Sequence, residues 1–188
     1  MLDLDSLRGT HDGDNVFLVG NGERIANLRN PSFGVNLINR IYPDTSWRPW
    51  YYVCTDKYVL DNFEDEVRTN IDAARVAFVP STDMDKYGGD NVVPLIVKDY
   101  QSDLPLTEGV YSYGTTLFIA LQIANHMGYK QATFIGCDLY FGERMHFYDN
   151  DPMVLTAKEL SRRRSRSVLA HAKMIQYADR HGMKVVYE

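Results

Sequence analysis

One stretch, residues 111–149, constrains the fold of this chain more than any other. A turn of small residues at 112–115 opens an apolar helix, a glycine ends that helix, and an apolar strand follows at 132–135. The chain then enters a polar loop, beginning at Gly136, that is rich in tyrosine, histidine and aspartate. This order brings a helix amino terminus close to a strand carboxyl end. Open α/β sheets hold anionic ligands at such places.

The rest of the chain repeats the alternation of short apolar runs with helical segments. We predict six strands, at residues 16–19, 34–38, 51–54, 77–79, 132–135 and 185–187. We predict helices at residues 23–28, 57–69, 115–127 and 157–181. Strands that alternate with helices indicate a mostly parallel sheet with helices on both faces. We therefore expect a single α/β, Rossmann-like domain over residues 1–188, with about six strands.

The segment 81–108 differs from its surroundings because it is rich in aspartate, glycine and proline. We interpret it as a long loop or a small lid beside the ligand crevice.

Bulk composition excludes several classes of protein. The chain has 188 residues, 45% of them hydrophobic, which is enough for a buried core. The net charge of −5 argues against broad electrostatic binding of nucleic acid. No apolar run reaches the length of a transmembrane helix, and two cysteines provide no disulfide framework. We expect a cytoplasmic protein, and a homo-oligomer is compatible with the sequence.

A glycine-rich turn, Gly20-Asn21-Gly22, follows the first predicted strand. Glycines after a strand let the backbone approach a ligand, and the amides that follow can bind phosphate or ribose oxygens. The turn is neither a P-loop nor a GxGxxG motif, which removes support for ATP binding by those two routes. A plain strand-to-helix turn uses the same residues.

The polar loop after the fifth predicted strand carries the candidate catalytic residues, which are Asp138, Tyr140, His146 and Asp149. A tyrosine hydroxyl and a histidine can donate hydrogen bonds to a departing phosphate and so stabilise the charge that develops there. The spacing of the carboxylates and the histidine matches no zinc or calcium motif, and we predict no metal site. Asp138 and His146 could also be ordinary loop residues.

These motifs resemble the bacterial sialyltransferases of glycosyltransferase family 42 and the wider MptE-like (DUF115) proteins, many of them surface-polysaccharide enzymes. The resemblance is compatible with a bacterial or phage source. The resemblance extends over residues 16–187. It is clearest in the segments VFLVGNGERI, GVNLINRIYP and GTTLFIALQIANHMGYKQATFIGCDLYFGERMHFYD. It implies a GT-A-like fold and a nucleotide-sugar donor, most of all a CMP-sugar, with a glycan acceptor and no required cofactor.

The resemblance also implies a donor site. In the family, two asparagines contact the donor nucleotide. One matches Asn21, which lies between Gly20 and Gly22, and the other matches Asn39, which follows the second strand. The next strand end carries Thr55 and Asp56 where the family has another donor-binding asparagine. A family turn that touches the donor sugar and phosphate matches the sequence Ser112-Tyr113-Gly114-Thr115.

The same comparison suggests catalytic roles. Tyr140 corresponds to a tyrosine that assists the leaving phosphate, and Asp138 belongs to the same motif. His146 takes the place of a second phosphate-binding tyrosine. The histidine that acts as the catalytic base in the family would fall near Arg166, and this chain has no histidine at that position. His171 is near that position but lies inside the predicted last helix. His146 or Asp149 would then accept the proton of the acceptor hydroxyl.

Two other functions are consistent with these residues. One is an MptE-like pyrophosphokinase that needs ATP and Mg²⁺, with carboxylates from Asp83, Asp85, Asp90 and Asp138 facing the crevice. The other is a module that binds a sugar or nucleotide without catalysis.

Overall fold

The computed structural model describes residues 2–22, 25–98, 105–137 and 157–188. The described strands are β1 Asn15–Val19, β2 Ser32–Val35, β3 Tyr51–Val53, β4 Val76–Pro80, β5 Val92–Leu95, β6 Val97–Lys98, β7 Val110–Tyr111, β8 Gln131–Ile135 and β9 Lys184–Tyr187. The described α-helices are α1 Lys57–Asn62, α2 Glu64–Ala73, α3 Met84–Tyr87, α4 Thr116–His126 and α5 Ala157–Arg180. A longer 3-10 segment covers Ile38–Asp44.

Seven of these strands form one parallel sheet in the order β5-β4-β3-β2-β1-β8-β9. β6 and β7 pair separately. The expected open α/β fold is confirmed, and each of the six predicted strands has a counterpart. The second prediction, 34–38, is wrong beyond Val35, because β2 covers Ser32–Val35 and a 3-10 segment begins at Ile38. β1 lies inside the sheet with β2 on one side and β8 on the other, so the strand order reverses there. Parallel sheets bind ligands outside the carboxyl ends of the strands at such a reversal.

The seventh strand of this sheet, β5, lies within the segment 81–108. The interpretation of that whole segment as a loop or lid is therefore wrong for residues 92–95, which pair with β4. Pro94 explains the error, because proline lacks the N–H that a central strand needs and marks a run as a poor strand candidate. β5 is an edge strand of the sheet, where a proline is tolerated.

The helix predictions also needed correction in two places. The predicted helix 57–69 is divided at Phe63, whose φ of −131° and ψ of 48° end α1 before α2 begins. The described part of the predicted helix 23–28, residues 25–28, is not helical. The predicted helices 115–127 and 157–181 are confirmed as α4 and α5.

Alternating side chains of the strands build two apolar cores, one on each face of the sheet. Val16 and Leu18 of β1 pack on the face that α4 and α5 cover. Phe17 and Val19 pack on the opposite face, with α1, α2 and the 3-10 segment. All four side chains are at most 7% exposed. Because both faces are buried, β1 is a continuous apolar run rather than an alternating one.

Candidate functional site

A polar cleft of about 330 Å³ opens at the carboxyl edge of the sheet, outside β2 and β3. One wall follows these two strands, and the other is formed by the turn before α4 and the first residues of that helix. Its lining consists of Asn36, Thr55, Asp56, Ser112, Gly114, Thr115 and Thr116. Five of these seven residues were predicted from the sequence to bind the ligand, namely Thr55, Asp56, Ser112, Gly114 and Thr115. The lining offers hydroxyl, amide and carboxylate groups, which suit a ligand rich in hydroxyls and phosphate.

The α4 wall is shaped by a tight turn. Tyr113 and Gly114 adopt left-handed conformations, with φ of 45° and 83°. The Ser112 Oγ accepts a hydrogen bond from the Gly114 N–H at 3.1 Å. Thr115 has an extended backbone and caps α4, because its Oγ1 accepts from the Leu117 N–H at 3.3 Å. The amino terminus of α4 therefore borders the cleft, and the positive end of its dipole favours an anionic group there.

Tyr113, although part of the predicted turn, does not line the cleft. Its ring packs 5.3 Å from that of Phe118 and 6.1 Å from that of Tyr111.

Asn36 is the cleft residue that sequence reasoning missed. It has a φ of 52° directly after β2. Its carbonyl oxygen accepts from the Tyr52 hydroxyl at 2.7 Å and from Asn70 Nδ2 at 3.1 Å. Its side-chain Oδ1 accepts from Thr116 Oγ1 at 3.1 Å, which joins the two walls. The available signal was a polar residue after an apolar run, but the predicted strand continued through residue 38 and concealed it.

Thr55 and Asp56 follow β3 and line the same cleft. Asp56 also caps α1, since its Oδ1 accepts from the Tyr58 N–H at 3.0 Å. No hydrogen bond from the described residues reaches its Oδ2, and none of their cations pairs with it. The neighbouring Lys57 instead lies 2.8 Å from Asp61 and 3.2 Å from Asp83. Among the described residues, the carboxylate of Asp56 therefore has no countercharge.

Asn39 lies in the 3-10 segment and is not among the residues that line the cleft. Its Oδ1 accepts from Asn70 Nδ2 at 2.9 Å, and its Nδ2 donates to Glu66 Oε2 at 3.2 Å. The Arg40 guanidinium also binds this carboxylate, at 2.9 Å, and that hydrogen bond lowers the pKa of Glu66. The structure gives Asn39 a part in anchoring α2, and its contact with a nucleotide stays a prediction.

The glycine-rich turn lies at the ends of β1 and β8 and also outside the lining of the cleft. The Gly20 N–H donates to the Ile135 carbonyl at 2.9 Å, and the Gly22 N–H donates to the Gly136 carbonyl at 2.7 Å. A Cβ on Gly20 would stand 2.6 Å from the Gly136 oxygen. Gly20 therefore permits a close approach of two backbones, and both glycine amides already have protein partners. The predicted contact of Asn21 with a nucleotide is not tested by this geometry.

The four candidate catalytic residues, Asp138, Tyr140, His146 and Asp149, lie outside the described residues. The last described residue before them is Cys137, two positions after the end of β8. That strand end adjoins the glycine-rich turn, at the place where the strand order reverses.

His171 of α5 is a buried histidine with one nitrogen unused. Its side chain is 9% exposed, and its ring lies 6.0 Å from that of Tyr187 in β9. Its Nδ1 is 2.9 Å from the Ser167 carbonyl oxygen, so this nitrogen carries the proton and donates it. Among the described residues, its Nε2 has no hydrogen-bond partner. The lone pair of this nitrogen can therefore accept a hydrogen bond.

The described residues contain no group of three or more histidine, cysteine, aspartate or glutamate side chains placed to hold a metal ion. Asp83, a candidate magnesium ligand, accepts hydrogen bonds from Lys57 at 3.2 Å and from the Thr82 hydroxyl at 2.9 Å. Within the described ranges, no helix has the length and apolar character needed to cross a membrane.

The fold is similar to that of a sialyltransferase, CstII from Campylobacter jejuni, whose structure was solved in complex with a substrate analogue, CMP-3FNeuAc. The TM-score is 0.51 at 14% sequence identity, over 92% of this chain and 80% of that one. At this identity the likeness shows a shared sialyltransferase-like fold. Neither a family model nor a curated protein matches the chain.

Proposed function

We propose that this protein is a glycosyltransferase that transfers a sugar from a nucleotide-sugar donor, in the first place a CMP-sugar, to a glycan acceptor. The observation that carries the proposal is the polar cleft between β2, β3 and the amino terminus of α4. Its groups suit a sugar phosphate, and it lies at the edge of the sheet where parallel α/β folds bind their ligands. The sialyltransferase-like fold supports the same activity.

The two walls of the cleft suggest a division of roles. The phosphate would lie near Ser112, Gly114 and Thr115, where the helix dipole favours negative charge. Sugar hydroxyls would bind Asn36 and Asp56 on the strand wall. The nucleotide would extend from the cleft toward the glycine-rich turn at the ends of β1 and β8.

In this proposal the leaving phosphate receives hydrogen bonds from Tyr140 and His146, which stabilise its developing charge. Asp138 belongs to the same motif as Tyr140 and would lie beside the leaving phosphate. His146 or Asp149 takes the proton from the acceptor hydroxyl as the general base.

A thermal-shift titration with CMP, UDP, GDP and ATP, each with and without Mg²⁺, tests the proposal. A ligand at 100 times its Kd stabilises the folded state by about 2.7 kcal/mol. For a chain of this length that raises Tm by roughly 5–10 °C. We expect CMP to give this shift in the presence and in the absence of Mg²⁺. A shift with ATP alone that requires Mg²⁺ would favour the pyrophosphokinase, and no shift with any nucleotide would refute both.

A matched pair of variants locates the binding. Thr116→Val removes the hydroxyl that joins the two walls and keeps the shape of the side chain. Thr69→Val removes a similar hydroxyl from the exposed surface of α2, where Oγ1 donates to the Asp65 carbonyl at 2.8 Å. We expect the nucleotide-induced rise in Tm to shrink in the first variant only. Equal rises in both would place the nucleotide elsewhere, and release of CMP from a CMP-sugar would exclude a module that only binds.

A further inference from the structure

We propose that the protein forms a symmetric dimer in which β9 of one copy pairs antiparallel with β9 of a second copy. The two seven-stranded sheets would then join into one continuous sheet, with the two α5 helices side by side on the same face. This inference concerns a surface outside the cleft and does not rest on the proposed function. It follows from the backbone of β9, from its charges and from the exposed apolar side chains beside it.

The outer edge of β9 offers backbone groups for pairing. β9 is the last strand of the sheet and pairs with β8 on its inner side. The N–H groups of Lys184 and Glu188 donate to the carbonyl oxygens of residues 130 and 134, at 2.8 and 3.0 Å. Because successive residues of a strand turn their backbone groups to opposite sides, those of Val185 and Tyr187 point away from β8. No backbone group of the described residues pairs with this edge, and such an edge is a template for another strand.

The sequence at this edge, Lys184-Val185-Val186-Tyr187-Glu188, complements itself when it is reversed. In an antiparallel pair centred on Val186, Val185 faces Tyr187 of the second copy, and each such pair exchanges both its N–H···O bonds. The same register places Lys184 opposite Glu188 of the second copy. Opposite charges directly across two strands stabilise the pairing, whereas like charges destabilise it. The charges therefore favour this antiparallel register over an in-register parallel one, which would place like charges opposite each other.

Arg29 holds the Glu188 side chain in position for this contact. Its Nη2 lies 2.7 Å from Glu188 Oε1, and its guanidinium stands 4.4 Å from the centre of the Phe17 ring. A carboxylate can accept more hydrogen bonds than this single ion pair uses. Glu188 can therefore keep its bond with Arg29 and also bind Lys184 of the second copy.

Exposed apolar side chains continue this edge onto α5. The Tyr187 side chain is 47% exposed, although its ring lies 5.2 Å from that of Phe134 and 6.0 Å from that of His171. His171 thus marks the side of α5 that faces β9. Val168 and Ile175 lie one turn before and one turn after His171, and they are 55% and 49% exposed. The α5 helix of a second copy would cover these side chains, because a two-fold axis brings the same surface of both copies together.

The opposite edge of the sheet is less suited to pairing. β5 contains Pro94, and proline at an edge hinders the addition of another strand. Its other three side chains are buried. β9 is therefore the edge at which a second copy would add.

Sedimentation equilibrium over a series of protein concentrations tests the inference, and we expect the wild-type protein to form a dimer. Lys184→Glu places like charges opposite each other at both ends of the paired strands, and it should raise the dissociation constant of the dimer about tenfold or more. Lys184→Glu combined with Glu188→Lys restores opposite charges and should return the constant to within about threefold of the wild-type value. Lys130→Glu makes the same charge reversal at an exposed residue outside β9 and should leave the constant unchanged.

A second pair of variants tests the contact between the α5 helices. Ile175→Glu places a charge where the second copy would cover the helix, and it should raise the dissociation constant about tenfold or more. Leu169→Glu is the control. Leu169 is also exposed, but it lies about 100° around the helix from Val168 and faces away from β9. Because both side chains are exposed in the single copy, both variants should keep the fold, which circular dichroism would check.

Three results would overturn the inference. One is a wild-type protein that stays monomeric throughout the concentration series. Another is an assembly that Lys184→Glu and Ile175→Glu leave intact, since its interface would then lie elsewhere. The third is a folded double variant at positions 184 and 188 that fails to dimerise, because the antiparallel register would then be wrong.

Discussion

Asn70 connects α2 to the residues that shape the cleft, and its replacement by leucine has a calculable cost. The side chain is fully buried. Its Oδ1 accepts from the Tyr42 hydroxyl at 2.9 Å. Its Nδ2 donates to the Asn36 carbonyl at 3.1 Å, to Asn39 Oδ1 at 2.9 Å and to the Glu66 carbonyl at 3.0 Å. Asn70→Leu approximately keeps the volume and removes all four contacts. The two Nδ2 protons are shared among three acceptors, so the loss counts as about three hydrogen bonds. At about 1 kcal/mol each, the free energy of unfolding should fall by about 3 kcal/mol.

For a chain of this length, such a loss lowers Tm by roughly 6–12 °C. Calorimetry and urea unfolding would measure it, with Asn62→Ala on the exposed surface of α1 as a control that should change stability by less than about 0.5 kcal/mol. The nucleotide-induced rise in Tm should shrink as well, since Asn36 loses a support. A cost of Asn70→Leu below about 1 kcal/mol would refute the reasoning, because about three hydrogen bonds of a buried side chain would then have been lost at almost no penalty.

Two further changes test other parts of the structure. Gly20→Ala places a Cβ 2.6 Å from the Gly136 oxygen and should lower Tm by several degrees. Gly89→Ala is the control, because its Cβ meets nothing closer than 3.5 Å and should leave Tm unchanged. Equal Tm values for the two variants would contradict the close approach of Gly20 to Gly136. Burial lowers the pKa of His126 from its ordinary 6.5. The unfolded chain then binds more protons below pH 6.5, so the free energy of unfolding should fall as the pH drops through this value, and less so in His126→Gln. Urea titrations above and below pH 6.5 would measure it, and identical slopes for both proteins would count against the prediction.

The fold was predictable where one physical signal acted alone. The strands β1, β3 and β8 are apolar runs that a glycine or a polar residue ends, and α4 and α5 have long helical patterns. In β5 the apolar residues favour a strand, whereas Pro94 favours a loop. The strand forms because β5 lies at the edge of the sheet, where proline is tolerated. The break at Phe63 has no counterpart in the sequence, because the pattern of residues 57–69 suits one continuous helix.

The site was predictable in its positions more than in its contacts. Thr55, Asp56, Ser112, Gly114 and Thr115 come together in one cleft because parallel strands end at the same edge of the sheet. Asn36 was missed because its φ of 52° depends on hydrogen bonds from Tyr52 and Asn70, which are distant in sequence. The hydrogen bonds of Asn39 with α2 likewise come from tertiary structure, which the sequence motif does not encode.

The position of β1 between β2 and β8 has a consequence for the order of folding. Phe17 pairs with Ser32 across a short loop, whereas Val16 pairs with Ala132, about 115 residues away, so closing the second loop costs roughly 2 kcal/mol more in chain entropy. We expect β1 to β5 to assemble first, in sequence order, and β8 to join afterwards together with β9, which pairs with it. Until then β1 presents an open apolar edge that can pair with other chains. Pulse-labelling hydrogen exchange would detect earlier protection of β3 than of β8, and simultaneous protection would contradict this order.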